Sequence, residues 1–185
     1  TERCIGFGGG HAPMLPEPYN NNYYIVQNAD HVVIMAEQFR DARIIRLGAG
    51  APLPSHIRPW LGDSRGRWEG NTLVVETTNI HPAQTDVQQS VFANELDRRT
   101  GNQASEARKV IERFTRVDKD TLLYEFTIED PIVYTQPWGG EIPMWRQAEQ
   151  LYEYACHEAN YGMANILSGA RYQERQPAES GNQKP

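Results

Sequence analysis

The chain has 185 residues, 39% of them hydrophobic and 23% charged, with a formal net charge of −6. That is enough length and apolar content for one domain with its own core. The acidic balance and the scattering of Lys and Arg exclude a nucleic-acid surface, which needs clustered cations. The longest apolar run, Val32 to Ala36, has strand length and falls far short of the roughly 20 residues that cross a bilayer as a helix, so no transmembrane segment is expected.

In chain order, Thr1 to Asn22 reads as an irregular arm. Gly8-Gly9-Gly10 makes regular structure costly, Pro13, Pro16 and Pro18 remove backbone donors, and Asn20-Asn21-Asn22 favours turns. Strands are expected from Tyr23 to Gln27 and from His31 to Gln38, joined by Asn28-Ala29-Asp30, and a third from Ala42 to Leu47. Gly48 to Pro59 is a loop. Arg65 to Trp68 and Thr72 to Asn79 form a second hairpin across Glu69-Gly70-Asn71. Asp86 to Arg98 carries Val87, Val91 and Leu96 near helical spacing and is expected to form a short helix. Lys109 to Val117 and Thr121 to Glu129 alternate apolar and polar residues around Asp118-Lys119-Asp120, the clearest hairpin of the three. Ile132 to Gln136 and Leu151 to Cys156 are expected as two further strands, with Trp138-Gly139-Gly140 as a turn between them. Asn160 caps a helix from Tyr161 to about Gln173, with Met163, Ile166 and Ala170 as its apolar stripe. The polar tail from Gln176 is expected to be disordered.

These elements define an arm (1–22), one domain (23–175) and a tail (176–185). The class is all-β, an antiparallel meander of about eight strands, and such a sheet hides its edges by closing or nearly closing into a barrel. A sandwich is the competing architecture. The two cysteines, Cys4 and Cys156, lie near opposite ends. A disulfide between them would tie the arm to the last strand, and two free thiols are the alternative.

Alternation fixes the third hairpin in more detail. A three-residue loop sets Val117 opposite Thr121, Arg113 opposite Glu125 and Phe114 opposite Tyr124. One face then carries Phe114, Tyr124, Phe126 and Ile128, and packs a core. The other carries Arg113, Thr115, Glu125, Thr127 and Glu129, either solvated or lining a pocket.

No self-sufficient catalytic motif is present. Gly62-Asp63-Ser64 lacks the preceding buried strand and the late Asp/His pair of a serine hydrolase, and Asp63 and Ser64 read as turn residues. His11, His31, His56, His81 and His157 show no metal-ligand spacing, and no cofactor motif is present. The carboxylates Glu125, Glu129, Asp130, Glu141 and Glu153 fall in or near neighbouring strands, with Trp68, Trp138 and Trp145 at strand ends or turns. Aromatic platforms beside carboxylates and Asn suit a sugar ring and its hydroxyls. On that reading Glu125, Glu153 and His157 are the candidate acid–base residues. Arg65, Arg67, Trp68, Asn79, Glu129, Trp138 and Trp145 are candidate ligand contacts. Arg65 and Arg67 share one strand face, from which they would bind a carboxylate or phosphate, or pair with Glu76 or Glu69. The alternatives are a His157 that caps a strand end, tryptophans that close the core, and acids that keep the protein soluble.

The blocks Gly62 to Asn79, Glu112 to Asp118 and Tyr152 to Gly162, together with Pro13 to Pro16 and Tyr19 to Tyr23, resemble a family of secreted proteins from environmental bacteria, a family without an assigned activity. The resemblance covers most of the chain. It implies export, to the periplasm or beyond, and a further N-terminal region ahead of Thr1; it supplies no catalytic residues. Arg40 departs from the pattern, standing where similar sequences often have His. The rhythm of the hairpins is also similar to lipocalin-like barrels, an analogy that carries no function. Three functional expectations follow. The first is a secreted or envelope domain that binds a small molecule or serves as a scaffold. The second is an enzyme acting on a carbohydrate or related small polar molecule. The third is self-assembly into a homo-oligomer through the N-terminal arm, whose Ile5, Phe7, Met14, Leu15 and Tyr19 need an apolar surface, either the arm's own barrel, which is favoured, or a neighbouring subunit.

Overall fold

Three hairpins of the sheet turn on local devices that their sequences dictate. Asn28 Oδ1 accepts the N–H of Asp30 (2.9 Å) and of His31 (2.7 Å), which closes the hairpin between β1 (Tyr23–Gln27) and β2 (His31–Ala36). Asp118 Oδ1 does the same for Asp120 N–H at 2.8 Å, between β6 (Lys109–Arg116) and β7 (Thr121–Glu129). Gly70, at φ 60°, turns β4 (Asp63–Glu69) into β5 (Thr72–Thr78). β3 (Ala42–Leu47) and β8 (Trp138–Trp145) complete the sheet. This computed structural model describes residues 10–16, 19–81, 105–155, 158 and 161–175.

The eight strands lie in sequence order, β1 to β8. All neighbours are antiparallel except β3 and β4, which run parallel with Ile45 opposite Ser64 and Leu47 opposite Gly66. A parallel pair needs a connection that returns to the starting end. Residues 48–62 make that return, held by Asn79, whose Nδ2 donates to the carbonyls of Leu53, Pro54 and Ile57 at 3.0–3.1 Å. The third hairpin has the expected register, Arg113 opposite Glu125 and Phe114 opposite Tyr124.

One face carries the core: Val32, Ile34, Ile45, Leu73, Val75, Val110, Phe114, Tyr124, Phe126 and Ile128. The described part of the arm around Ala12 to Leu15 lies on this face. Ala12 and Met14 join the core cluster, with Leu15 packed against it, and Met14 N–H donates to Tyr124 Oη at 2.8 Å. The arm's described apolar residues at this point therefore bury against their own sheet.

Three expectations are corrected. The sheet is not closed: it is a half-barrel curving through 232°, and the arm, rather than a β1–β8 pairing, covers part of its apolar face. The strands expected at Ile132 to Gln136 and from Leu151 are absent among the described residues. Residues 131–133 form a turn, and the Val133 and Tyr134 N–H groups donate to Asp130 O. The strand lies at Trp138–Trp145 instead, where Gly139-Gly140 reads as a turn. Those glycines have a packing cause: a Cβ on Gly139 would run into the Phe126 carbonyl oxygen. Finally, Asp63 and Ser64 are strand residues, both buried.

The C-terminal helix α1 (Gly162–Arg175) forms where expected, in a unit separate from the sheet, and none of its residues is buried. No described helix is long and apolar enough to cross a membrane. The expected helix at 86–98, the Cys4–Cys156 bridge, the Asn160 cap and the tail lie outside the described residues.

Candidate functional site

Two polar regions stand out, one on each face of the sheet. On the core face, strand parity places Arg43 beside Ile45, and Glu112 between Val110 and Phe114. Their side chains are 1% and 0% exposed, so the charges persist there only because they are paired. Arg43 Nη1 donates to Glu112 Oε2 at 2.7 Å and Nη2 to Oε1 at 2.9 Å, a bidentate fork. Tyr124 Oη donates to the same Oε1 at 2.8 Å while accepting the Met14 N–H. Burial alone would lower the Arg43 pKa, but the Glu112 carboxylate reverses this and holds it above its ordinary value. Burial, then the Glu112 charge, push the Tyr124 phenol well above its usual range. The phenol is therefore a fixed hydrogen-bond donor, not an acid.

His11 extends this region. It is 4% exposed, and its Nδ1 has no hydrogen-bond partner among the described residues. Burial, then the Arg43 and Arg108 cations, push its pKa down to about 4. Arg108 in turn lies 3.6 Å from Asp130 Oδ2. Asp130 also accepts from Ser105 N–H at 2.9 Å and Ser105 Oγ at 2.6 Å. These buried charges join the arm, β3, β6 and the turn after β7. They hold the fold.

On the opposite face, a shallow groove of about 340 Å³ runs over β6, β7 and β8, lined by Ile111, Arg113, Glu125, Thr127, Glu141 and the Gly139-Gly140 backbone, among others. The absent glycine side chains leave its floor open. Glu125 and Glu141 sit directly opposite each other on β7 and β8. Arg113, the cross-strand neighbour of Glu125, instead donates from Nη1 to Glu69 Oε2 at 3.0 Å. Neither Glu125 nor Glu141 has an ion-pair or hydrogen-bond partner among the described residues. Like charges directly opposed on adjacent strands destabilise a sheet, so this pair costs the fold something.

The other residues expected at a site are dispersed. Glu129 pairs with Lys109 at 2.6 Å. Glu153 pairs with Arg40 at the surface. Arg67 is held by Glu69, through Nε at 3.0 Å and Nη2 at 2.7 Å. Arg65 donates to Gly50 O and lines a second recess, of about 150 Å³, with Asp30, His31 and Arg46. Asn79 holds the β3–β4 connection, as described. Trp138 is part of the core margin, edge-on to Phe126 and Tyr134. Trp68 and Trp145 are exposed, 50% and 70%, and no tryptophan lines the groove. Ser64 Oγ is engaged with Thr77 Oγ1 at 2.8 Å, and Asp63 with Arg46 at 2.5 Å. His157 lies outside the described residues. Of the candidate acids, then, the sheet brings together Glu125 and Glu141 only. Among the described residues no group of three or more His, Cys, Asp or Glu is placed to hold a metal ion.

The buried Arg43–Glu112 pair was absent from the expected site. Its signal was parity, since an acid two residues from both Val110 and Phe114 shares their face.

No family model, curated protein or solved structure matches this chain.

Proposed function

We propose that this chain is a binding domain for a small, hydroxyl-rich molecule such as a carbohydrate, held in the groove over β6–β8. The observation that carries this reading is the opposed, unpartnered Glu125–Glu141 pair on a glycine floor. Carboxylates accept hydrogen bonds and cannot donate, so a ligand that satisfies both must bring donors, as sugar hydroxyls do. Arg113 and Thr127 add a donor and a donor–acceptor at the same groove. The exported setting of this reading rests on the resemblance to secreted bacterial proteins.

The test is a titration of neutral saccharides and polyols followed by amide chemical shifts. Saturable shifts should centre on Arg113, Glu125, Thr127 and Gly139–Glu141. Glu125→Gln and Glu141→Gln should each weaken binding about tenfold, equivalent to about 1.4 kcal/mol. Shifts centred elsewhere, or binding indifferent to both substitutions, would count against the groove.

The same carboxylates support a second reading, acid–base chemistry on a glycosidic bond. Its readout is product formation that disappears in either Gln variant. Binding stands first because the groove is open along the sheet face, and no described residue orients either carboxylate.

A further inference from the structure

The half-barrel leaves two sheet edges, β1 and β8, among the described residues, and they are built differently. In β8 the hydrogen-bonded alternation with β7 continues from Arg146 N–H, which donates to Asp120 O. Counting back in twos, the backbones of Glu141 and Pro143 face outward. Pro143 has no N–H to offer and Glu141 carries a charge, two features that blunt an edge against further pairing. β1 has neither. Its sequence, Tyr23-Tyr24-Ile25-Val26-Gln27, contains no charge and no proline.

The same counting applies to β1. Asn22 O accepts from Glu37 N–H, and Asn28 N–H donates to His31 O, so the even-numbered backbones turn toward β2. Those of Ile25 and Gln27 turn outward, and neither residue has a backbone hydrogen bond there among the described residues. Beside this edge the sheet face opposite the core is apolar. Tyr24, Val26 and Ile44 are 56%, 43% and 59% exposed, with the half-buried Val33 and Met35 between them in register.

We infer that β1 is a self-pairing edge, joining two copies of this chain antiparallel about a two-fold axis at Val26. In that register Ile25 of each copy exchanges its outward N–H and C=O with Gln27 of the other. Val26 meets its own counterpart, and Tyr24 faces Asn28. No like charges are brought together, and the apolar stripe continues from one sheet onto the next. A second copy is the occupant because the outward backbones of Ile25 and Gln27 pair with each other in the antiparallel register, and the uncharged strand brings no repulsion to the junction. The blunted β8 opposes the alternative β1-to-β8 pairing, which would build open chains. A five-residue strand and a small patch form an interface at the low end of specific interfaces, below about 1,200 Å² in total, so the dimer is weak and reversible.

Sedimentation velocity on the full chain, from about 1 µM to about 1 mM, tests this. The expected result is a reversible monomer–dimer equilibrium. Val26→Lys should shift it at least tenfold toward monomer while keeping the wild-type unfolding transition, and an equimolar mixture of Val26→Lys with Val26→Glu should restore the dimer. Should Val26→Lys fail to fold, hydrogen exchange on the wild-type chain decides: the Ile25 and Gln27 amides should exchange more slowly at high than at low concentration. A wild type that stays monomeric, a dimer that survives Val26→Lys, assembly beyond the dimer, or exchange at those amides independent of concentration would each overturn the inference.

Discussion

The two faces of the sheet treat charge in opposite ways. On the core face Glu112 is fully buried, yet every contact around it is complementary: a guanidinium fork, a phenol, and through that phenol a backbone amide of the arm. On the other face Glu125 and Glu141 are accessible, opposed and uncompensated. The first arrangement holds strands and arm in place. The second costs the sheet stability without helping to hold it, which is what a site built for a ligand does. Burial by itself would have ranked these residues the other way, because the buried carboxylate is structural and the exposed pair is the candidate site.

The largest effect is expected at Glu112. Glu112→Gln leaves Arg43 charged in an apolar setting, and loss of one partner of a buried pair costs about 3–5 kcal/mol. Urea unfolding should show that loss, and the melting temperature should fall by about 10 °C.

Acid should act next, through His11. Burial, then the Arg43 and Arg108 cations, push its pKa in the folded state down to about 4, from an ordinary value of 6.5. The unfolded chain therefore binds a proton that the folded chain refuses between those values. The His11 contribution is intact above pH 6.5 and is lost as pH falls toward 4, amounting to about 3 kcal/mol over the interval. Stability measured against pH should decline through this window, and His11→Asn should flatten the decline. A slope unchanged by the substitution would assign it to other groups.

Tyr124→Phe sharpens the link between the arm and the pair. It removes the phenol that bridges Met14 N–H and Glu112, at a cost of about 1–3 kcal/mol for the amide and carboxylate left unsatisfied. Limited proteolysis should then cut the arm near Met14 faster than in the wild type.

The sequence made local pairing legible and long-range closure less so. The register of β6 with β7 follows from a three-residue loop and alternation, both of which are local. β8 was missed because Gly139-Gly140 and Pro143 are turn signals in any local reading. Only the approach of the Phe126 carbonyl, contributed by another strand, explains the glycine at 139. The parallel β3–β4 step was equally illegible, because it depends on how residues 48–62 fold back onto Asn79. At the site, Glu125 is an expected acid–base residue and Glu141 one of the carboxylates expected near it. Their direct opposition required the β8 register, and that was the element misplaced. Arg43 and Glu112 looked like ordinary strand polar residues, although parity already set each among apolar neighbours.

The smallest effect bears on the central claim, that the buried carboxylate holds the fold while the exposed pair opposes it. Urea unfolding of Glu141→Gln beside Glu112→Gln measures both in one experiment. Relief of the like-charge opposition should leave Glu141→Gln as stable as the wild type or more stable by about 0.2–1 kcal/mol, while Glu112→Gln loses several. A Glu141→Gln protein destabilised by more than about 1 kcal/mol would contradict the account, because it would make the groove carboxylate part of the structural framework.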